Sequence, residues 1–120
     1  MKIAVTANGA GLDAPVDPRF GRCQNFVFVD TETMDTETVS NENLMASGGA
    51  GVQSAQLVSE KGATIVLTGN CGPNAHRTLA VAGIEVIVGV TGSVQEAVEK
   101  YKAGAFSAAG GPNVDAKFGV

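Results

Sequence analysis

The chain has no tryptophan, one tyrosine and one histidine, and only 17% of its residues are charged. Its core is therefore expected to be aliphatic, built largely from Val, Ala, Ile and Leu. A single histidine leaves little for general acid–base catalysis. The two cysteines, Cys23 and Cys71, form no C-x-x-C pair, so neither a zinc nor a thioredoxin signature is present. A reducing compartment would leave both as free thiols. No apolar run is long enough for a signal peptide or a membrane span, which leads us to expect a cytoplasmic protein with no membrane partner. The net charge of −4 argues against nucleic-acid binding.

Several catalytic signatures are missing too. The glycine segment around Gly48–Gly51 is followed by no lysine, so it is not a P-loop. Ser54 stands where a dinucleotide fingerprint needs its last glycine. There is no G-x-S-x-G elbow. The first strand carries no carboxylate for metal-dependent nuclease chemistry. A Cys71–His76 pair is the one nucleophilic arrangement that can be drawn, and His76 has no second histidine or carboxylate at ligand spacing.

What is present is a chain of 120 residues, 44% apolar, with sixteen glycines. That suits one domain with a closed core and many tight turns. Strands are expected at 2–7, 26–29, 37–44, 64–68 and 84–90. The second and third are joined by a polar turn as a hairpin. One helix should open at Ser47–Gly51 and stop at Gly62. A short second helix carries Leu79 inward and ends at Gly83. A third is capped by Ser93 and Glu96, with Val94, Ala97, Val98 and Tyr101 on one face. The pattern divides into a domain over 1–106 and a flexible tail over 107–120.

A hairpin followed by βα units predicts a mixed sheet with helices packed on it. Ligands collect at the carboxyl ends of parallel strands in such sheets. Three segments should meet there: 8–24, 45–52 and 69–77. Together they hold Arg19, Arg22 and Arg77, the only arginines, against Asp13 and Asp17, a balance of +1 that leaves −5 elsewhere. Guanidinium groups suit multidentate anion recognition. Backbone N–H groups of Gly49, Ala50 and Gly51, and of the Gly72–Asn74 turn, would add donors at helix N-termini. Each feature also has a plain reading: glycines for close packing, arginines for solvation, Pro73 as a helix start, cysteines as small core residues.

Arg19-Phe20-Gly21-Arg22-Cys23, then Gly48-Gly49-Ala50-Gly51, then Thr68-Gly69-Asn70-Cys71-Gly72-Pro73-Asn74-Ala75, and Val90-Thr91-Gly92-Ser93-Val94-Gln95-Glu96-Ala97 occur in that order. This sequence resembles the dinitrogenase iron–molybdenum cofactor biosynthesis family over residues 1 to 106. The resemblance implies an α/β, ribonuclease-H-like three-layer fold, with a five-stranded mixed sheet flanked by helices. It also implies non-catalytic binding of a metal–sulfur cluster or its precursor. A short chain of this kind looks most like the orange protein branch, which carries a molybdenum–copper sulfide cluster without covalent protein ligands. A related molybdenum–iron–sulfur precursor is the other cargo it implies, and ParA/MinD-type ATPases are implied partners. The binding set expected on this basis is Arg19, Phe20, Arg22, Gly49, Ala50, Gly51, Asn70, Cys71, Gly72, Asn74, His76 and Arg77, with Cys71 and Cys23 as optional metal ligands. The alternatives are a cofactor-free adaptor and a cysteine-dependent enzyme.

Overall fold

The computed structural model describes residues 1–41 and 50–106. The expected glycine segment through Gly49, and the expected tail at 107–120, lie outside the described residues. Eight elements follow one another: β1 (Lys2–Ala7), β2 (Asn25–Asp30), β3 (Thr36–Ser40), α1 (Ala50–Glu60), β4 (Ile65–Leu67), α2 (Pro73–Val81), β5 (Glu85–Ile87) and α3 (Val94–Lys102). This is the element order expected from the sequence.

The sheet order is β3-β2-β1-β4-β5. β1 pairs antiparallel with β2, and β2 with β3, whereas β1–β4 and β4–β5 are parallel. Side chains alternate across a strand, and here the alternation divides two cores. Ile3, Val5, Val27, Val29, Ile65, Leu67 and Ile87 meet Val94, Ala97 and Val98 of α3. Ala4, Phe26, Phe28, Val66 and Val86 meet Ala55, Val58, Ala75 and Leu79 of α1 and α2. The result is the expected three-layer α/β arrangement, with α1 and α2 on one face and α3 on the other.

The short parallel strands differ from expectation for a local reason. β5 stops at Ile87 because Gly89 takes a positive φ of 76°. The turn sends the Gly89 and Val90 N–H groups to the carbonyls of Gly69 and Thr68. β3 begins at Thr36 and ends at Ser40. α3 carries the predicted capping box: Ser93 Oγ accepts the Glu96 N–H, and Glu96 Oε1 accepts the Ser93 N–H. Among the described residues, no helix is long and apolar enough to cross a membrane.

Candidate functional site

Ala7 at the end of β1 pairs with Asn25 at the start of β2, and Asn25 pairs with Ser40 at the end of β3. The carboxyl ends of β1, β4 and β5 therefore share one sheet edge with the exit from β3. The loops at 8–24 and 68–72, and the N-termini of α1 and α2, open on this rim.

The long first loop has two differently anchored halves. Val16 bridges to Ala7, and Pro15 bridges to Ser93, which binds this half to the α3 side. Leu12, Ala14 and Val16 join the core beneath α3. From Asp17 the chain crosses to the other face, where Phe20 and Cys23 enter the core under α1 and α2. Phe20 lies 5.8 Å from Phe26, centroid to centroid. The crossing is fixed at Thr6, whose hydroxyl donates to the Asp17 carbonyl and lies 2.9 Å from the Thr68 hydroxyl.

At the crossing the first loop runs directly over the loop after β4. Phe20 N–H donates to the Asn70 carbonyl, and Asn70 Nδ2 donates to the Pro18 carbonyl at 3.1 Å. A Cβ on Gly69 would sit 2.6 Å from Pro18 Cα, a separation that real Cβ atoms do not reach. Only glycine lets the two backbones approach so closely. This explains the glycine in Thr68-Gly69-Asn70 without reference to any ligand.

Arg19 is held on the rim by Asp17. The Asp17 side chain is fully buried, whereas that of Arg19 is 62% exposed. Asp17 Oδ1 accepts from Arg19 N at 2.9 Å and from Nε at 3.2 Å, and Oδ2 accepts from Nη2 at 3.3 Å. These hydrogen bonds and the carboxylate charge hold the guanidinium above its already high ordinary pKa. Arg19 is thus an ion-paired residue, with less uncompensated charge than its sequence context suggests.

Asn41, buried where the chain leaves β3, clamps the next turn. Its Nδ2 donates to the carbonyls of Gly21 at 3.0 Å and Cys23 at 2.9 Å. Arg22 lies on this turn and is exposed.

α2 begins at Pro73, with Gly72 as an N-cap that supplies no side-chain bond. His76 N–H is the first to reach back into the helix, to the Gly72 carbonyl at 3.0 Å. Pro73 has no N–H to offer, which leaves those of Asn74 and Ala75 as the helix's N-terminal donors. Arg77 is exposed one turn in, His76 is half-buried, and Asn74 is exposed. Gly51 lies against α2: a Cβ there would be 3.1 Å from Ala75 Cβ. The start of α1 therefore adjoins the first turn of α2.

The two thiols sit at the base of the rim. Neither is in a disulfide, and both are buried. Burial pushes Cys71 up to about 12. Burial, reinforced by the Asp17 carboxylate, pushes Cys23 to about 12 as well. At neutral pH both are protonated, and the thiolate is the form that binds metal or attacks carbon. Among the described residues, no group of three or more His, Cys, Asp or Glu side chains could hold a metal ion. The rim offers N–H groups and guanidinium groups, which is a donor set for an anion.

Of the expected site residues, Arg19, Phe20, Arg22, Gly51, Asn70, Cys71, Gly72, Asn74, His76 and Arg77 all fall on the rim or on the first turns of the helices that open there. Ala50 begins α1, and Gly49 lies outside the described residues. Phe20 and Cys71 are core members at the rim's base, with 8% and 1% exposure. Asp17, Asn41, Thr6 and Thr68 were missed. Asp17 could have been found, because an Asp two residues before another residue often captures that residue's N–H in an Asx turn. Two open grooves lie elsewhere, one beside Met1, Glu85 and Tyr101, the other between α1 and α2 near Ser59 and Val81.

The fold is thus a three-layer α/β domain with an anion-suited rim. The chain belongs to the dinitrogenase iron–molybdenum cofactor family, whose model matches residues 1–104. The apo form of the orange protein from Desulfovibrio gigas is similar in structure, with a TM-score of 0.91 and 46% identity over 93% of this chain and 95% of that one. The structure of a Thermotoga protein assigned to NifB is similar at a TM-score of 0.78 and 33% identity, covering 89% of this chain and 91% of that one. An uncharacterised protein of Methanocaldococcus jannaschii is 30% identical over 107 residues, 87% of each chain.

Proposed function

We propose that this protein is a non-catalytic carrier of an anionic metal–sulfur cluster, with a molybdenum–copper sulfide cluster as the first cargo to test and a molybdenum–iron–sulfur precursor as the second. The observation that carries the reading is the donor set of the rim: guanidinium groups and helix N-terminal N–H groups above buried, protonated thiols. The similarity to the orange protein along nearly the whole chain supports it.

A sulfide-rich cluster is a compact, polarisable polyanion. Arg19, Arg22 and Arg77 would offset its charge, while the N–H groups of Gly51, Asn74 and Ala75 would donate to its sulfides. Hydrogen bonds to charged groups contribute about 1.5–3 kcal/mol each, so several together can retain a cluster without coordinate bonds. Phe20, closing the base, would limit water. Partners of the ParA/MinD ATPase type fit a carrier that must be loaded and unloaded.

The test is reconstitution of the purified protein with tetrathiomolybdate and copper, followed by metal analysis and visible absorption. Wild type should take up molybdenum and copper in a fixed ratio and colour. R22A/R77A should load at least tenfold more weakly, as expected for the loss of two charge-assisted contacts. Equal loading of the variant would remove these arginines from the site. A wild type that stays colourless and metal-free would favour a cofactor-free adaptor.

A further inference from the structure

We infer that Asp17 is the positioning residue of the rim: its buried carboxylate fixes the Arg19 guanidinium in one orientation beside Asn70, so that the remaining N–H donors of Arg19 face a bound anion. This rests on the carrier reading above and adds to it a residue that contributes no contact of its own.

Asp17 is tied down through every polar group it has. Its N–H donates to the Thr6 carbonyl at 2.8 Å. Its own carbonyl accepts from the Thr6 hydroxyl at 2.6 Å. Its two carboxylate oxygens take the Arg19 N–H, Nε and Nη2. The anchor is β1, the central strand of the sheet, and the anchored group is an exposed guanidinium. A long arginine side chain normally samples many rotamers, and ordering it on binding weakens the complex. Here that ordering is made in advance by the protein.

The engagement is also partial. A guanidinium has five N–H donors in a planar fork, and the carboxylate takes Nε–H and one on Nη2. Three donors remain on a side chain that is mostly exposed. Arg19 also pairs as a β-bridge with Asn70, which puts its backbone where the first loop meets the loop before α2. Pairing through both Nε and Nη2 restrains the guanidinium, as suits a multidentate anion contact.

The test combines loading with a signal that needs no cargo. In the apoprotein, the Arg19 Nε–H should give a resolved, slowly exchanging NMR resonance, and D17N should shift it into the crowded arginine envelope. On tetrathiomolybdate and copper, D17N should load about tenfold more weakly. Adding D17N to R19A should cost nothing further, because a positioning residue has no effect once its target is gone. R19K keeps the charge but lacks the fork, and should load like D17N. Circular dichroism at the loading temperature checks that each variant is folded. An Arg19 Nε–H resonance unmoved by D17N overturns the inference. So does D17N loading equal to wild type, or a D17N effect that persists in full in R19A. If wild type itself takes up no cluster while the Nε–H signal responds as described, the carrier reading fails, and the positioning role toward an anion fails with it.

Discussion

Asp17 and the two cysteines show what burial demands of a polar side chain. An ionised carboxylate without exposure is tolerated only when paired, and in Asp17 the partner is Arg19. R19A should therefore lower the melting temperature, and D17N should recover part of the loss in the double variant, as measured by thermal unfolding. The thiols work in the opposite sense. Both Cys23 and Cys71 stay protonated up to about 12 in the folded protein. An unfolded chain would lose these protons from its ordinary value upward, near pH 9. The folded state thus binds more protons above that point, so stability should fall as pH rises from about 9 toward 12. With two thiols the slope approaches about 2.7 kcal/mol per pH unit, readable from urea unfolding at a series of pH values. By the same logic, alkylation of native protein near pH 8 should be on the order of a thousandfold slower than that of an ordinary cysteine. The arginines and cysteines were legible in the sequence as a set. Their partners were not, because which carboxylate a guanidinium finds depends on how a loop crosses the sheet.

Strand and helix identities followed from local signals, and these signals were strong where the structure is regular. The Ser93–Glu96 capping box is visible as four letters and forms as expected. S93A should cost about 1 kcal/mol and leave cluster loading unchanged, since α3 packs on the face away from Phe20 and Cys71. The ends of β5 were less legible: Ile84 to Val90 reads as one buried strand, yet Gly89 turns the chain after Ile87 to satisfy the loop after β4. Gly69 is where two elements depend on one atom's absence. G69A should destabilise by about 1–3 kcal/mol through overpacking against Pro18 and displace the Arg19–Asn70 bridge, seen as amide shifts confined to the rim. In α1, Ser54 Oγ is buried with no hydrogen-bond partner among the described residues. S54A should accordingly raise stability by about 1 kcal/mol, measured in urea.

Across the whole molecule, the sheet order places the 8–24 and 69–77 loops on one edge, and this is where sequence and structure agree most usefully; the third expected loop, at 45–52, lies largely outside the described residues. The hairpin-then-βα pattern was enough to predict that loops 8–24 and 69–77 meet, since parallel strands β1 and β4 must end on the same side. It could not show that the first loop divides between two faces, with Val16 toward α3 and Phe20 toward α2. That division depends on bridges to Ala7 and Ser93, which have no local signature. The chain is acidic overall at −4, so a bound polyanion depends on its local donors rather than on the general field of the protein. Loading should weaken as salt is raised, because exposed guanidinium groups are screened over about 8–10 Å near physiological ionic strength.

The decisive measurement is cluster loading of C23A/C71A. With charge and N–H donors doing the holding, the variant should take up molybdenum and copper in the same ratio as wild type and show the same visible spectrum. A folded C23A/C71A protein that binds no metal would contradict the account, because the cargo would then depend on thiolates.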